Sequence, residues 1–221
     1  MWIKDSLTHW RTAFGFKELL EESSVHRALH LLIHVNQFDD HMFWAACLLV
    51  YFGFLRSAEF TVPSLSAFDP NRHLSVRDIA VDVPLNPSCL QICTKASKTD
   101  PFRKRCIILI GPGSPLCAVQ AIVSFLKRRG NRPDPLFLFE NSLPLSCSLL
   151  RDRLRAILLS AALPGDSSSH SGQIGAATSA ARAGILDHLI QVLGHCKSDA
   201  YKQNIRTPPN LTTRAAKSMV D

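Results

Sequence analysis

Apolar residues recur at helical spacings over 14–35, where Phe16, Leu19, Leu20, Val25, Leu29, Leu32 and Ile33 line up on either side of a polar break, EESS at 21–24. Two short helices are predicted there. Asp39 and Asp40 then stand where N-terminal caps belong, ahead of a strongly apolar stretch that predicts a helix over about 41–59, with an exit at Val62-Pro63. Over 74–110 the period shortens. LSVRDIAVDV, CLQICTKAS and RCIILI are β-type runs separated by Pro84, Asn86 and Pro87 and by KTDPFRK, which predicts a small antiparallel sheet with a tight turn around 98–102.

After Gly111-Pro112-Gly113 the helical period returns. Helices are predicted over 116–129 and 149–163, joined by the Pro- and Asn-rich stretch NRPDPLFLFENSLPL. Ser167, Ser168 and Ser169 precede a helix running through Ala183, which Gly184 ends; a further helix covers 187–194. A last short helix covers 198–205 and stops at Pro208-Pro209. No repeat or low-complexity tail interrupts the pattern. The fold class expected is mainly α with a small antiparallel β-sheet.

Composition narrows the function classes. The chain has 221 residues, enough for one sizeable core. Its formal net charge of +7 and pI near 9.2 favour a polyanionic partner, with an ordinary basic surface as the alternative. The seven cysteines are odd in number and form no close CxxC pair. They indicate neither a disulfide framework nor a zinc ribbon, and a reducing intracellular compartment, the nucleus included, fits them. The longest apolar run, 42–55, is shorter than the ~20 residues that span a bilayer. The start, MWIKDSLTHWRT, lacks the pattern of a secretory signal.

Individual polar residues admit two readings each. Arg56, in FGFLRSAEF, is costly beside apolar neighbours unless it is paired or binds a ligand, and Glu59 at i+3 is its structural partner. Lys98, in SKTDP, is displayed by a turn and is either solvated surface or chemistry. His170 opens HSGQIGAAT, whose small residues allow close backbone packing, and is either a core histidine or a site residue. His26, His30 and His34 form a helical stripe, but the Glu of H-E-x-x-H and a nearby cysteine are lacking, so no metal site is assigned. The runs Lys127-Arg128-Arg129 and Arg103-Lys104-Arg105 are candidate phosphate contacts, the first equally a helix C-terminus matched to its dipole.

In order, FGFLRSAEF, SKTDPFRK, HSGQIGAAT and LGHCKSDAYKQNIR resemble the successive motifs of tyrosine recombinases of the phage-integrase type, in the version carried by eukaryotic mobile elements of the DIRS kind. The resemblance runs from about Asp39 to Pro208. It implies the catalytic-domain fold of that family, double-stranded DNA as partner, oligomers on DNA, and site-specific recombination and integration. The chemistry it implies is attack by a tyrosine on a scissile phosphate, giving a 3′-phosphotyrosyl intermediate and a free 5′-hydroxyl, without metal or nucleotide cofactor. Arginine forks would hold the phosphate oxygens and a lysine would protonate the departing oxygen.

Position by position, Arg56 matches the family's first arginine, Glu59 the acid that orients it, Lys98 the turn lysine, and His170 the histidine of His-x-x-Arg. His195 in LGHC matches the residue after the glycine. Arg103, Lys104 and Arg105 flank the lysine turn as DNA contacts. Two positions depart. The second arginine is Gln173, which has no charge or bidentate fork and costs roughly 10² to 10³ in rate. The nucleophile's place is taken by Asn204, which cannot form the phosphotyrosyl bond. Tyr201 is the alternative nucleophile, displaced by ~4.5 Å along a helix and read more simply as packing.

The organisation implied is an N-terminal helical remnant or linker (1–38), the catalytic-type domain (39–210) and a tail (211–221). The family's N-terminal DNA clamp is then absent or reduced to a fragment. The functional expectation is a recombinase-type domain whose catalysis is impaired. The alternatives are a non-catalytic DNA-binding domain derived from such an enzyme, or a protein-interaction module.

Overall fold

In the computed structural model the residues described are 37–95, 106–113, 117–132, 134–160, 176–177, 180–181 and 184–193. The two helices expected over 14–35, the turn around 98–102, the serine-led helix start and the last helix over 198–205 lie outside them.

The apolar stretch forms α1, Phe38–Phe52, and ten of its fifteen residues are buried, from His41 to Tyr51. A helix apolar on most faces belongs in the middle of a domain, and α1 is the central element. Asp39 and Asp40 are not its caps. Gln37 is the N-cap, and the two aspartates sit in the first turn, where tertiary partners claim them: Asp39 Oδ1 accepts the Glu140 N–H at 2.7 Å and Asp40 pairs with Arg153.

The helix expected to continue to residue 59 stops at Phe52. Gly53 donates its N–H to Leu49 O and Leu55 to Val50 O, while Phe54 takes a left-handed φ of 51°. A Cβ on Gly53 would lie 2.7 Å from Leu49 O, so the close approach of the chain at this corner requires glycine. A separate turn of helix, α2, follows at Ser57–Phe60.

The three β runs pair as expected. Strands β1 (Ile79–Val81), β2 (Leu90–Thr94) and β3 (Cys106–Ile110) form an antiparallel sheet in the order β1-β2-β3. Ile79 opposes Ile92, and Leu90 opposes Ile110. Alternation buries Leu90, Ile92, Ile108 and Ile110 on the core face and leaves Ile107 and Leu109 on the other. The first run is mostly not strand, since Val76–Asp78 is a 3₁₀ turn closed by the Asp78 side chain on Ser75.

Helix α3, Ala118–Arg129, packs on α1, with the Phe125 ring 5.7 Å from Phe38 and stacked on Phe137 at 5.8 Å. Helix α4, Cys147–Ser160, starts two residues earlier than its pattern suggests. The stretch between them is more than a connection. Leu136 and Phe137 are fully buried, Leu136 donates its N–H to Leu74 O, and Leu145 bridges Phe137 O and the Val62 N–H. Gly184, at φ 77°, ends its helix with the paired bonds Gly184 N–H to Ala181 O and Ile185 N–H to Ala180 O, a Schellman stop; α5, Asp187–Leu193, follows. Among the described residues no helix is long and apolar enough to cross a membrane.

Candidate functional site

The break at Gly53 decides where Arg56 goes. Had α1 run on, Arg56 would occupy an interior helical position; instead it is the N-cap of α2, with extended backbone at φ −82° and ψ 148°. Glu59 accepts the Arg56 N–H at 2.9 Å and stands 3.6 Å from its Nη1. Only half of a capping box is chemically available, because a guanidinium offers no acceptor to the helix N–H groups. The 3.6 Å approach is a charge contact and not a bidentate fork. The side chains are 17% and 7% exposed, so the pair is shielded on the carboxylate side and reaches the surface on the guanidinium side. Burial pushes the Glu59 carboxyl up, opposed by the hydrogen bond and the positive charge of Arg56. The ion pair expected between the two residues is present.

Lys98, His170, Gln173, His195, Asn204, Tyr201 and the cluster Arg103, Lys104 and Arg105 all lie outside the described residues. Of the proposed constellation, Arg56 and Glu59 are placed and brought together. The structure does describe the strand residues on either side of the segment 96–105, which contains Lys98. Thr94 opposes Cys106 as the last pair among the described residues, and Lys95 immediately follows, its Nζ 2.6 Å from Asp78 Oδ2.

The basic run 127–129 divides. Arg129 turns inward, with its side chain 1% exposed. It pairs with Asp134 and donates to the carbonyls of Gly130 at 3.1 Å and Pro135 at 2.6 Å. Among the described residues its Nε has no partner. It is a tie for the 130–135 loop, not a phosphate contact. Lys127 and Arg128 are exposed, with Arg128 over the Phe38 ring at 5.8 Å.

One constellation had no signal in the sequence. His41 Nε2 lies 2.8 Å from Ser124 Oγ, and its Nδ1 lies 3.2 Å from Arg128 Nη1. A histidine beside a serine suggests a nucleophile and its base, but the arginine rules that out. Because Arg128 only donates, Nδ1 must accept, the proton sits on Nε2, and Nε2 donates to Ser124 instead of activating it. Ser124 in turn approaches Ala121 O at 3.2 Å. The group is a pin between α1 and α3.

Among the described residues no group of three His, Cys, Asp or Glu side chains could hold a metal ion, and the stripe His26, His30 and His34 lies outside them. Cys47, Cys89, Cys93, Cys117 and Cys147 are free thiols, and burial pushes the Cys47 thiol up to about 12.

No protein-family model matches the chain, and no curated protein sequence does. Solved structures do. XerH site-specific recombinase, bound to palindromic difH substrate in a post-cleavage complex, superposes with a TM-score of 0.64 and 16% identity, covering 92% of this chain and 53% of that one. XerA recombinase gives 0.60 and 18%, covering 91% and 62%. The Tn1549 transposon integrase, in complex with circular intermediate DNA, gives 0.53 and 14%, covering 80% and 59%. The chain thus spans between about half and three-fifths of the length of these proteins. At such low identities the likeness establishes the fold. It is that of tyrosine-recombinase catalytic domains, as the order of motifs implied.

Proposed function

We propose that the chain is a recombinase-type DNA-binding domain, derived from a mobile-element enzyme of the DIRS kind, that holds duplex DNA at a site beginning with Arg56. The domain spans about 39–210, assembles on DNA with further copies, and works in the nucleus or another reducing compartment. The strand cleavage and rejoining of its family, through a 3′-phosphotyrosyl intermediate, is impaired by Gln173 and Asn204. One observation carries the reading: in a chain with the recombinase catalytic-domain fold, the arginine of the first motif caps α2 with Glu59 holding it from behind, 3.6 Å away. An arginine so oriented has the chemistry to grip a phosphate oxygen. Lys98, His170 and His195 would complete the grip, and no metal or cofactor is required.

The test is covalent trapping on a nicked suicide duplex. The wild-type chain is expected to form no adduct, whereas an Asn204→Tyr, Gln173→Arg double variant forms one. An adduct with the wild type overturns the impairment, with Tyr201→Phe then identifying the nucleophile. Duplex affinity that does not fall with added salt would overturn DNA binding and leave the protein-interaction alternative.

A further inference from the structure

Two helices of this domain end in the same way on different residues. At Gly184 the stop consists of the Gly184 N–H on Ala181 O and the Ile185 N–H on Ala180 O, with a left-handed φ of 77° on the glycine. At the end of α1 the Phe54 N–H donates to Tyr51 O at 3.4 Å and the Leu55 N–H to Val50 O at 3.1 Å, and the left-handed residue, at φ 51°, is Phe54. Donors and acceptors have the same spacing, so both are Schellman stops. Glycine fills the left-handed position of such a stop without steric cost, whereas the Cβ of a phenylalanine crowds the backbone there.

Gly53, one residue earlier, does not take that position. It keeps φ −90° and ψ 0°, and its missing Cβ is required by the close approach to Leu49 O. The left-handed turn therefore falls to Phe54, and burial holds it there. Phe54 is 7% exposed, and Leu55 and Val50, joined by the long bond of the stop, are buried with it in the main core. A right-handed φ at Phe54 would let α1 run on through FLRSAEF, which the apolar pattern of the sequence favours, and would redirect the Phe54 and Leu55 side chains away from the sites they fill.

Only Leu55 separates this turn from Arg56, whose extended backbone starts α2. With Leu55 fixed in the core, the φ of Phe54 sets the direction in which the chain leaves α1, and with it the place of the guanidinium. We infer that Phe54 is a positioning residue: its left-handed backbone, held by burial of its side chain, sets where Arg56 meets a DNA phosphate. The inference rests on the functional reading above, in which Arg56 contacts the phosphate. Phe54 itself is buried in the core and acts through Arg56.

The experiment measures how the affinity of the full chain for a short duplex of arbitrary sequence falls with salt, one phosphate contact contributing about 0.9 to the slope. Arg56→Met is expected to remove about 0.9 from the wild-type slope. The same substitution is then made in two isomeric backgrounds. Phe54→Leu and Phe54→Ile lose the ring alike and keep equal apolar bulk, but only isoleucine branches at Cβ, which opposes a positive φ. Arg56→Met is expected to remove about 0.9 in the Phe54→Leu background and nothing in the Phe54→Ile background. Circular dichroism confirms that each variant is folded. Should Phe54→Ile not fold, Phe54→Gly and Phe54→Ala form the second pair, with the decrement present for glycine, which turns left-handed freely, and absent for alanine. Loss of packing or stability alone would not separate the members of a pair in this way. A pair whose two members give the same decrement, full or absent, therefore overturns the inference. No decrement in the wild-type background means that Arg56 does not contact the phosphate, and the functional reading fails at that residue together with the inference.

Discussion

Two arginines in this domain sit beside carboxylates at helix ends, and they do opposite things. Arg129 closes α3 and spends its donors inward, on Asp134 and the carbonyls of the loop that follows. Arg56 opens α2, stands 3.6 Å from Glu59 and keeps its side chain 17% exposed. Exposure separates the two: a guanidinium buried against backbone carbonyls cannot reach a phosphate, whereas Arg56, the proposed phosphate contact, is partly exposed.

The largest effect should follow from removing the tie. Arg129→Met leaves several carbonyls and the Asp134 carboxylate without their partner, and is expected to cost about 3 to 5 kcal/mol in urea unfolding. The salt slope of DNA binding, measured on folded protein, should be unchanged. A reduced slope would break the comparison by making Arg129 a DNA contact.

Gly53→Ala should cost less, roughly 1 to 3 kcal/mol, because the new Cβ meets Leu49 O at 2.7 Å and backbone must shift. Here both readouts are expected to move, since the same corner sets the N-cap position of Arg56. Loss of stability with an unchanged salt slope would separate the corner from the site.

The corner also marks the limit of what the sequence discloses. The sheet is legible because LQICT and RCIILI alternate, and the Gly184 stop because glycine is the residue that a left-handed helix exit demands. The end of α1 is not legible, because FGFL continues the apolar run and the break depends on a tertiary approach to Leu49 O. Arg56 is invisible as an N-cap, arginine having no acceptor for the role. Asp39 and Asp40 look like caps but are claimed by Glu140 and Arg153, distant in sequence. In 127–129 a rotation of about 100° per residue turns Arg129 into the core while Lys127 and Arg128 stay outside, and the sequence alone shows only a basic run. The fold that the recombinase resemblance implies, by contrast, is legible, and the observed fold agrees with it.

Arg56→Met should be smaller again in stability, roughly 1 kcal/mol near neutrality, while removing about 0.9 from the salt slope. Its stability loss carries a sign in pH. Burial already raises the Glu59 carboxyl above its ordinary value, so its ionisation costs stability as pH rises through the folded value; Arg56 opposes that rise. Without Arg56 the carboxyl is pushed higher, and the gap between variant and wild type should widen from acid toward neutral pH. A gap that narrows instead would mean that Glu59 is not the group that feels Arg56.

The smallest effect sharpens the comparison by a third arginine, Arg128, one contact of which runs to a histidine ring. It donates to His41 Nδ1, and that bond exists only while the ring is neutral. Burial first, and then the Arg128 charge, hold His41 below its ordinary value of 6.5. A depressed histidine contributes stability above the unfolded value and loses it as pH falls through the folded one, because the unfolded chain takes up the proton first. Asp39 and Asp40, on the same turn of α1, do not relieve the strain, being engaged with Glu140 and Arg153. His41→Gln is therefore expected to flatten part of the acid loss seen in urea midpoints between neutrality and about pH 5. The remainder belongs to other groups, His73 among them, which burial and Arg72 depress in the same direction. Arg128→Met should flatten a smaller share, since burial still depresses the ring, and the double variant should flatten no more than His41→Gln alone.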